Sequence, residues 1–575
     1  MKCPGVPLWD NHGVEAGVQH LHTYFLFPFS IDKQAVYEDH ADLWRTQAHW
    51  MNGLDEWLSI APAGADAGIA SALGTWQRTA YRNMDMDSPA YQDMVFFHPF
   101  VRRVFFDTGG LAGNDHESLM RCYGIAVSGG DELWMIAEDR KGRSAKVAVS
   151  DLRLYLFANG IGILSISVEA FGVSSAEALW INEEMRKIYP SSSRQVREGR
   201  IPARLAFVLE RDGEEKVLAE ERFENTSMVG FQPPLAGTIR SLLYFGNYSR
   251  QEYEPVLDER MIVFTYVAVD PATAPEGYIA SEDYQVLLSR ILYVDRAGEG
   301  FRYNPAFLKQ EMDRQLYRRW AHQGTYYGFT SFSNITCAIG AFDCDEHQLR
   351  EGFLIHRMFT TRYYLMAMVT LFYRATLLDF AERTALVSRR LYHDQEDNHI
   401  SNANMRITSD LRAEFLHFSN YWFFDELANK DEENEHFLLM CREYRVNSMK
   451  KEIEEEIEKL NVSLHNYYQM RNTEAVNRLA MLSLILGAGA VATGFFGMNF
   501  GGHFSRLIFQ PADGSFAAHY GAMIFASVLA LGAIFLGVYV VTTNWQDYRD
   551  SMMPRWWLER TNRRTGSLKR GSWIE

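Results

Sequence analysis

Several features are scarce in this chain, and each scarcity excludes something. Cysteine is rare: five residues in 575 (Cys3, Cys122, Cys337, Cys344 and Cys441), scattered and odd in number, make no disulfide framework. The opening stretch MKCPGVPLWDNHG has no apolar h-region, so no secretory signal is expected. Reduced thiols and a cytosolic N-terminus follow as expectations. A basic excess is missing as well. The formal net charge is -16, and binding to phosphates needs a concentrated basic surface, so cations are expected as partners and nucleic acid is not. Catalytic signatures are absent too: there is no P-loop, no G-x-S-x-G elbow, no H-E-x-x-H and no C-x-x-C pair. No motif argues for catalysis, and the chain is not expected to be an enzyme.

What is present suits a folded protein of more than one unit. The composition is 47% hydrophobic, 14% aromatic and 23% charged, which argues against extended disorder, and 575 residues exceed one ordinary core. Two apolar segments set the class. From Leu479 to Met498 about 20 residues run without a charge, enough for a bilayer core of roughly 30 Å. A second such run covers 521–541, with Trp545, Trp556 and Trp557 as interfacial anchors. The tail carries Arg549, Arg555, Arg560, Arg563, Arg564, Lys569 and Arg570, whereas the loop between the runs has only Arg506. A transmembrane hairpin with both termini cytoplasmic is expected.

Upstream, the pattern reads as α/β or α+β. Strands are expected at 21–31, 204–211 and 260–269, and a hairpin at 152–169 around Asn159-Gly160. Gly160-x-Gly162-x-x-Ser165 lacks the third glycine of a dinucleotide loop and continues as strand, so nucleotide binding is not expected there. Beyond 345 the texture turns helical. The stretch 353–391 is long and apolar, but Arg357, Arg362, Arg374 and Asp379 make it a buried or interface helix rather than a third span. Ile453, Ile457, Leu460, Leu464 and Tyr467 fall at heptad spacing, the seam of a helix that enters the bilayer, and the acids of 452–458 are its solvated face. The expected organisation is a cytosolic regulatory domain (1–350), a helical stalk (351–478), a transmembrane hairpin (479–543, spans 479–498 and 521–541) and a basic cytosolic tail (544–575).

Three polar clusters invite a metal reading. Cys337 and Cys344 with Asp345 and His347 fit no common zinc spacing. His393, Asp394, Glu396, Asp397 and His399 read first as a solvated loop. His20 and His22 share a face if their stretch is strand, and core or edge roles are expected for them.

Gly497-Met498-Asn499 stands at the outer end of the first apolar run, between Phe496 and Phe500, with the heptad-bearing helix before it and the basic tail after the second run. Over residues 447–570 this arrangement resembles the CorA family of magnesium channels, the two-helix GMN superfamily. The resemblance implies a homopentamer whose first membrane helix lines a central pore. Gly497, Met498 and Asn499 would then form the selectivity filter, a ring at the periplasmic mouth. Mg2+ dehydrates reluctantly, so neutral amide oxygens that bond to its waters suit it. Stepping inward at near-heptad intervals, the implied pore face is Gly494, Ala490, Gly487, Ser483, Ala480 and Val476. Family members commonly narrow the pore with a bulky apolar residue where Gly487 stands, so the gate shifts toward Leu479 or Val476, or the pore is wider. Close helix packing is the other use for Gly487, Gly489 and Gly494.

The implied protein is a CorA-like homopentameric divalent cation channel of the inner membrane, passing Mg2+ down its gradient. By the family's convention Mg2+ also regulates, bound between subunits, and Asp394, Glu396 and Asp397 are the carboxylates on offer beside the acids of 452–458. Two other readings stay open. One is a ligand-gated membrane effector of a type III CRISPR-like bacterial defence system, answering a nucleotide-type ligand of the large cytosolic domain. The other is a Zn2+ or Co2+ transporter on the same scaffold, suggested by His503 and His519 in the outer loop.

Overall fold

Residues 17–31, GVQHLHTYFLFPFSI, concentrate aromatic and β-branched side chains that suit a pleated surface. In the computed structural model they form β1 (Gly17–Ile31), the first of the expected strands. The structure describes residues 16–497 except 45–49, 61–67, 82–94, 110–118, 128, 190–200, 224–232, 258–259, 299–302, 340–354 and 397–401, and beyond 497 only scattered positions between 524 and 542. The chain divides into two compact units, 1–458 and 459–575.

The first unit is built on one mixed sheet. After β1 come β2 (Gln77–Arg78), β3 (Met120–Gly124), β4 (Glu132–Glu138), β5 (Ser144–Phe157), β6 (Ile161–Ser174), β7 (Arg204–Arg211), β8 (Glu214–Arg222), β9 (Tyr253–Pro255), β10 (Ile262–Val269), β11 (Leu316–Tyr317), β12 (Tyr326–Phe329) and β13 (Ser333–Ile339). Their order is β11-β12-β13-β10-β1-β6-β5-β4-β7-β8, with β3 also on β5, β2 on β3 and β9 on β1. Among the described residues only β10 and β13 pair in parallel. Pro28, which cannot donate to a ladder, falls between the last β10 partner at Leu26 and the first β9 partner at Phe29.

The Asn159-Gly160 signal is a hairpin: β5 and β6 pair antiparallel across a three-residue connection. Gly160 has φ +98°, a conformation that a side chain would strain. Gly162 lies opposite Phe29 of β1, and a Cβ there would sit 2.3 Å from that ring. The glycines of this stretch therefore serve a turn and a ring contact, and the stretch is strand, as its sequence context predicts.

Both faces of the sheet are covered. On one, Thr23 donates to Asn182 of α1 (Ser175–Met185) at 2.7 Å and meets Thr265 of β10 at 2.6 Å. On the other, the helical turn Ile355–Met358 passes through a π-helical turn, Phe359–Tyr363, into α2 (Tyr364–Glu396). The Tyr364 hydroxyl lies 2.9 Å from Ser165 Oγ and 3.2 Å from Tyr155 Oη. The stretch Ile355–His393 is long and apolar enough to cross a membrane, yet 78% of its most apolar window is buried. Its charges have protein partners. Arg374 donates to the Ser331 carbonyl and lies 5.0 Å over the Tyr444 ring, and Arg383 donates to Asp379 at 3.4 Å. Arg362 donates to Glu433 at 2.6 Å, both buried. Lipid offers no such partners, so this is a core helix, as its four charges predict.

Three more helices follow: α3 (Asn402–His417), α4 (Asp431–Glu443) and α5 (Val446–Gly497). α5 runs unbroken for 52 residues. In the first unit its Ile453 and Ile457 are buried while Glu452, Glu454, Glu455 and Glu456 face solvent, the division the heptad pattern predicts. In the second unit Leu464 and Met481 are buried, whereas Val476, Leu479, Leu482, Leu484, Leu486 and Val491 are exposed.

Candidate functional site

Alternate side chains of a strand share a face, so His20 and His22 of β1 stand side by side. On the neighbouring strand β6, register places Phe171 opposite His20 and Glu169 opposite His22. His356, from the helical turn ahead of α2, reaches the same group. His20 Nε2 lies 3.0 Å from Glu169 Oε2, and His22 Nδ1 lies 2.8 Å from His356 Nε2. One nitrogen or carboxylate oxygen from each of the four residues falls within 4.8 Å of the others. Among the described residues this is the one group of three or more His, Cys, Asp or Glu so arranged.

The surroundings hold the rings in place. Ser167 Oγ lies 2.7 Å from His22 Nε2, and Ser150 Oγ lies 2.8 Å from Ser167 Oγ. That contact occupies Nε2 and leaves Nδ1 turned toward His356. Phe171 stacks on His20 at 4.4 Å and Tyr24 on His22 at 4.7 Å, while Tyr266 sits 5.1 Å from His356. His20 and His22 are buried; Glu169 and His356 are half-buried, which leaves a side open. Burial pushes the Glu169 carboxyl upward, but the His20 hydrogen bond, the two neighbouring imidazoles and Ser150 together outweigh it and hold it at about 2.

Two other buried polar groups belong to the fold. His436 of α4 is enclosed by Tyr317, Tyr327, Tyr363 and Phe329, with ring centroids 4.5 to 5.6 Å away. Neither of its ring nitrogens has a hydrogen-bond partner among the described residues, and burial, with the Arg319 charge behind it, drives it down to about 3. At the end of α1, Arg296 meets Glu183 at 2.7 Å and Glu184 at 2.8 Å, and Lys187 lies 3.7 Å from Glu183. Burial pushes Glu184 up and Lys187 down, the strain expected of ions taken out of water.

The residues singled out in the sequence fare differently. Gly497 is the last residue of α5, while Met498, Asn499 and the whole outer loop lie outside the described residues. The implied pore positions Gly494, Ala490, Gly487, Ser483, Ala480 and Val476 are helical and exposed, and the Ser483 hydroxyl donates back to the Leu479 carbonyl at 2.9 Å. Asp394 and Glu396 fall on the last turn of α2 with side chains outside the described residues, and Asp397 lies beyond them altogether. Cys337 is a buried thiol in β13, and Cys344, Asp345 and His347 are also outside. His20 and His22 share a face of β1, as their spacing predicts. Both are buried in the sheet unit, as the core role expected of them requires, and Glu169 and His356, 149 and 334 positions away from their partners, pack beside them. The two-residue histidine spacing in a strand was the only signal available, since no spacing rule reaches across 334 positions.

No protein-family model matches the chain, and no curated protein matches it. Among solved structures it is similar to the CorA magnesium transporter from Methanocaldococcus jannaschii, at 12% sequence identity and a TM-score of 0.21, covering 55% of this chain and 98% of that one. A likeness at that score does not establish a shared fold.

Proposed function

We propose that the chain is a CorA-like, membrane-embedded channel for divalent cations, Mg2+ foremost, assembled as a homopentamer around α5. One observation supports the reading: α5 is unbroken from Val446, loses its charges after Arg478, and is helical as far as Gly497, the last described residue before Met498 and Asn499 of the G-M-N tripeptide. At 1.5 Å per residue its charge-free end is about 28 Å long, close to a bilayer core. The exposed apolar side chains on that end make a surface that lipid and neighbouring copies would cover. The second run, 521–541, would return the chain to the cytoplasm, leaving both termini on the inner face of the inner membrane. Five copies of Asn499 would present amide oxygens to a hydrated ion. No reaction chemistry is assigned, and the sheet unit would regulate.

The test is Mg2+ flux into proteoliposomes. Uptake is expected, slowing as internal Mg2+ rises, with selectivity among cations lost in Asn499→Ala while assembly persists. An assembled Asn499→Ala protein with wild-type selectivity would sink the filter assignment, and a wild-type protein that passes no cation under any gradient would sink the channel.

A further inference from the structure

We propose that His20, His22, Glu169 and His356 form a binding site for a single transition-metal dication, Zn2+ in the first instance. The donor set is three imidazole nitrogens and one carboxylate oxygen, brought together from β1, β6 and the turn ahead of α2. His20 Nε2 and His22 Nδ1 each face another acceptor-capable atom, Glu169 Oε2 at 3.0 Å and His356 Nε2 at 2.8 Å. Two imidazole nitrogens pointed at each other share one proton between them, and adding more protons places like charges together in a buried pocket. A divalent ion replaces those protons with one centre that every donor can face, and its binding releases them.

The geometry is near what such an ion requires. Zn2+ takes nitrogen and oxygen ligands at about 2.0–2.2 Å in a tetrahedron, which places the donors roughly 3.3 Å apart. The donors already lie within 4.8 Å of one another, so small ring rotations close the shell. Support from outside the four is present. The Ser167 contact at His22 Nε2 fixes the ring with Nδ1 turned inward, and the rings of Phe171, Tyr24 and Tyr266 pack around the cluster. Entry is from the half-buried side, past Glu169 and His356.

The chemistry also selects the ion. Imidazole suits Zn2+ and its neighbours in the first transition row, whereas Mg2+ demands an octahedral shell of oxygens and keeps its waters. The site would therefore ignore millimolar Mg2+. It stands on the sheet unit alone and does not depend on the channel reading: a cytosolic unit that senses Zn2+ is compatible with either cargo. Occupancy would bind the start of the α2 helix to the sheet, since His356 is the one ligand that does not come from a strand.

The experiment uses the full chain in detergent, stripped with a chelator, and needs no flux. Zn2+ is titrated against a chromophoric chelator, and Co2+ is added separately to read the visible bands of a four-coordinate ion. One equivalent per chain is expected, unaffected by millimolar Mg2+ and accompanied by a rise in Tm. His22→Ala should weaken Zn2+ binding at least ~100-fold, and Ser167→Ala about 10- to 100-fold through the lost ring support. Because His22 is buried, His356→Gln, at a half-buried position, is the second variant; it should weaken Zn2+ binding comparably while keeping the wild-type Tm without metal. Stoichiometric binding that survives in both His22→Ala and His356→Gln overturns the proposal, as does a folded wild-type chain that takes up no Zn2+. Failure of flux in proteoliposomes leaves this result untouched, so the two readings fail separately.

Discussion

A histidine with no hydrogen bond, closed in by four aromatic rings, can exist in the fold only as the neutral ring. For His436 this ties stability to pH with a definite sign. The unfolded chain protonates that ring below its ordinary value of 6.5, while the folded chain does so only near 3. Stability from this residue is therefore complete above pH 6.5 and is lost as pH falls toward 3. At pH 4.5 the loss is about 2–3 kcal/mol, at roughly 1.4 kcal/mol for every pH step of one below the ordinary value. His436→Phe keeps an aromatic ring among Tyr317, Tyr327 and Tyr363 and should flatten the fall of Tm between about pH 7 and 4.5; a variant with the wild-type slope would refute the assignment. The same scale shows what a sequence can reveal about a site. The spacing of His20 and His22 places both on one face once the strand is recognised, but Glu169 enters only through the β1–β6 register and His356 only through the docking of a distant helix. Periodicity is local information, and this site is assembled from three places in the chain.

Elements were more legible than contacts. β7 occupies 204–211, the residues its short apolar run picks out, and Asn159-Gly160 marks the β5–β6 connection because few other pairs accept the backbone that a short hairpin requires. The long helix at Tyr364–Glu396 was recognisable as a core element from its charges, but its π-helical entry was not, since an extra residue in one turn leaves no periodic trace. Gly162 shows how an element can depend on a missing atom. Phe29 lies over it where a Cβ would be 2.3 Å from the ring, so Gly162→Ala must displace either the ring or the pairing of β1 with β6. The expected cost is about 1–3 kcal/mol, read as a lower unfolding midpoint, with partial recovery when Phe29→Leu is added. An unchanged midpoint in Gly162→Ala would mean that the ring is not seated there.

At the scale of the whole molecule, the apolar end of α5 is exposed in a single copy, and the proposed channel would cover it with lipid and four further copies. A detergent-solubilised particle should show a native mass near five times 66.2 kDa beyond its bound lipid and detergent, and a particle of one or two copies would contradict the pentamer. The order of the strands in the sheet was beyond the reach of sequence reading, because it is set by pairings such as β1 with β10, whose partners are separated by about half the length of the first unit. That order has a consequence in time. Of the described strands β1 is made first, yet it ends in the middle of the sheet, flanked by β6 and β10. At about 5–20 residues per second, a ribosome needs roughly 10–50 s after finishing β1 to deliver β10. Throughout that interval one side of HTYFLF is a bare, aromatic edge, and whichever chaperone or neighbouring nascent chain reaches it first influences how much of the protein is recovered folded.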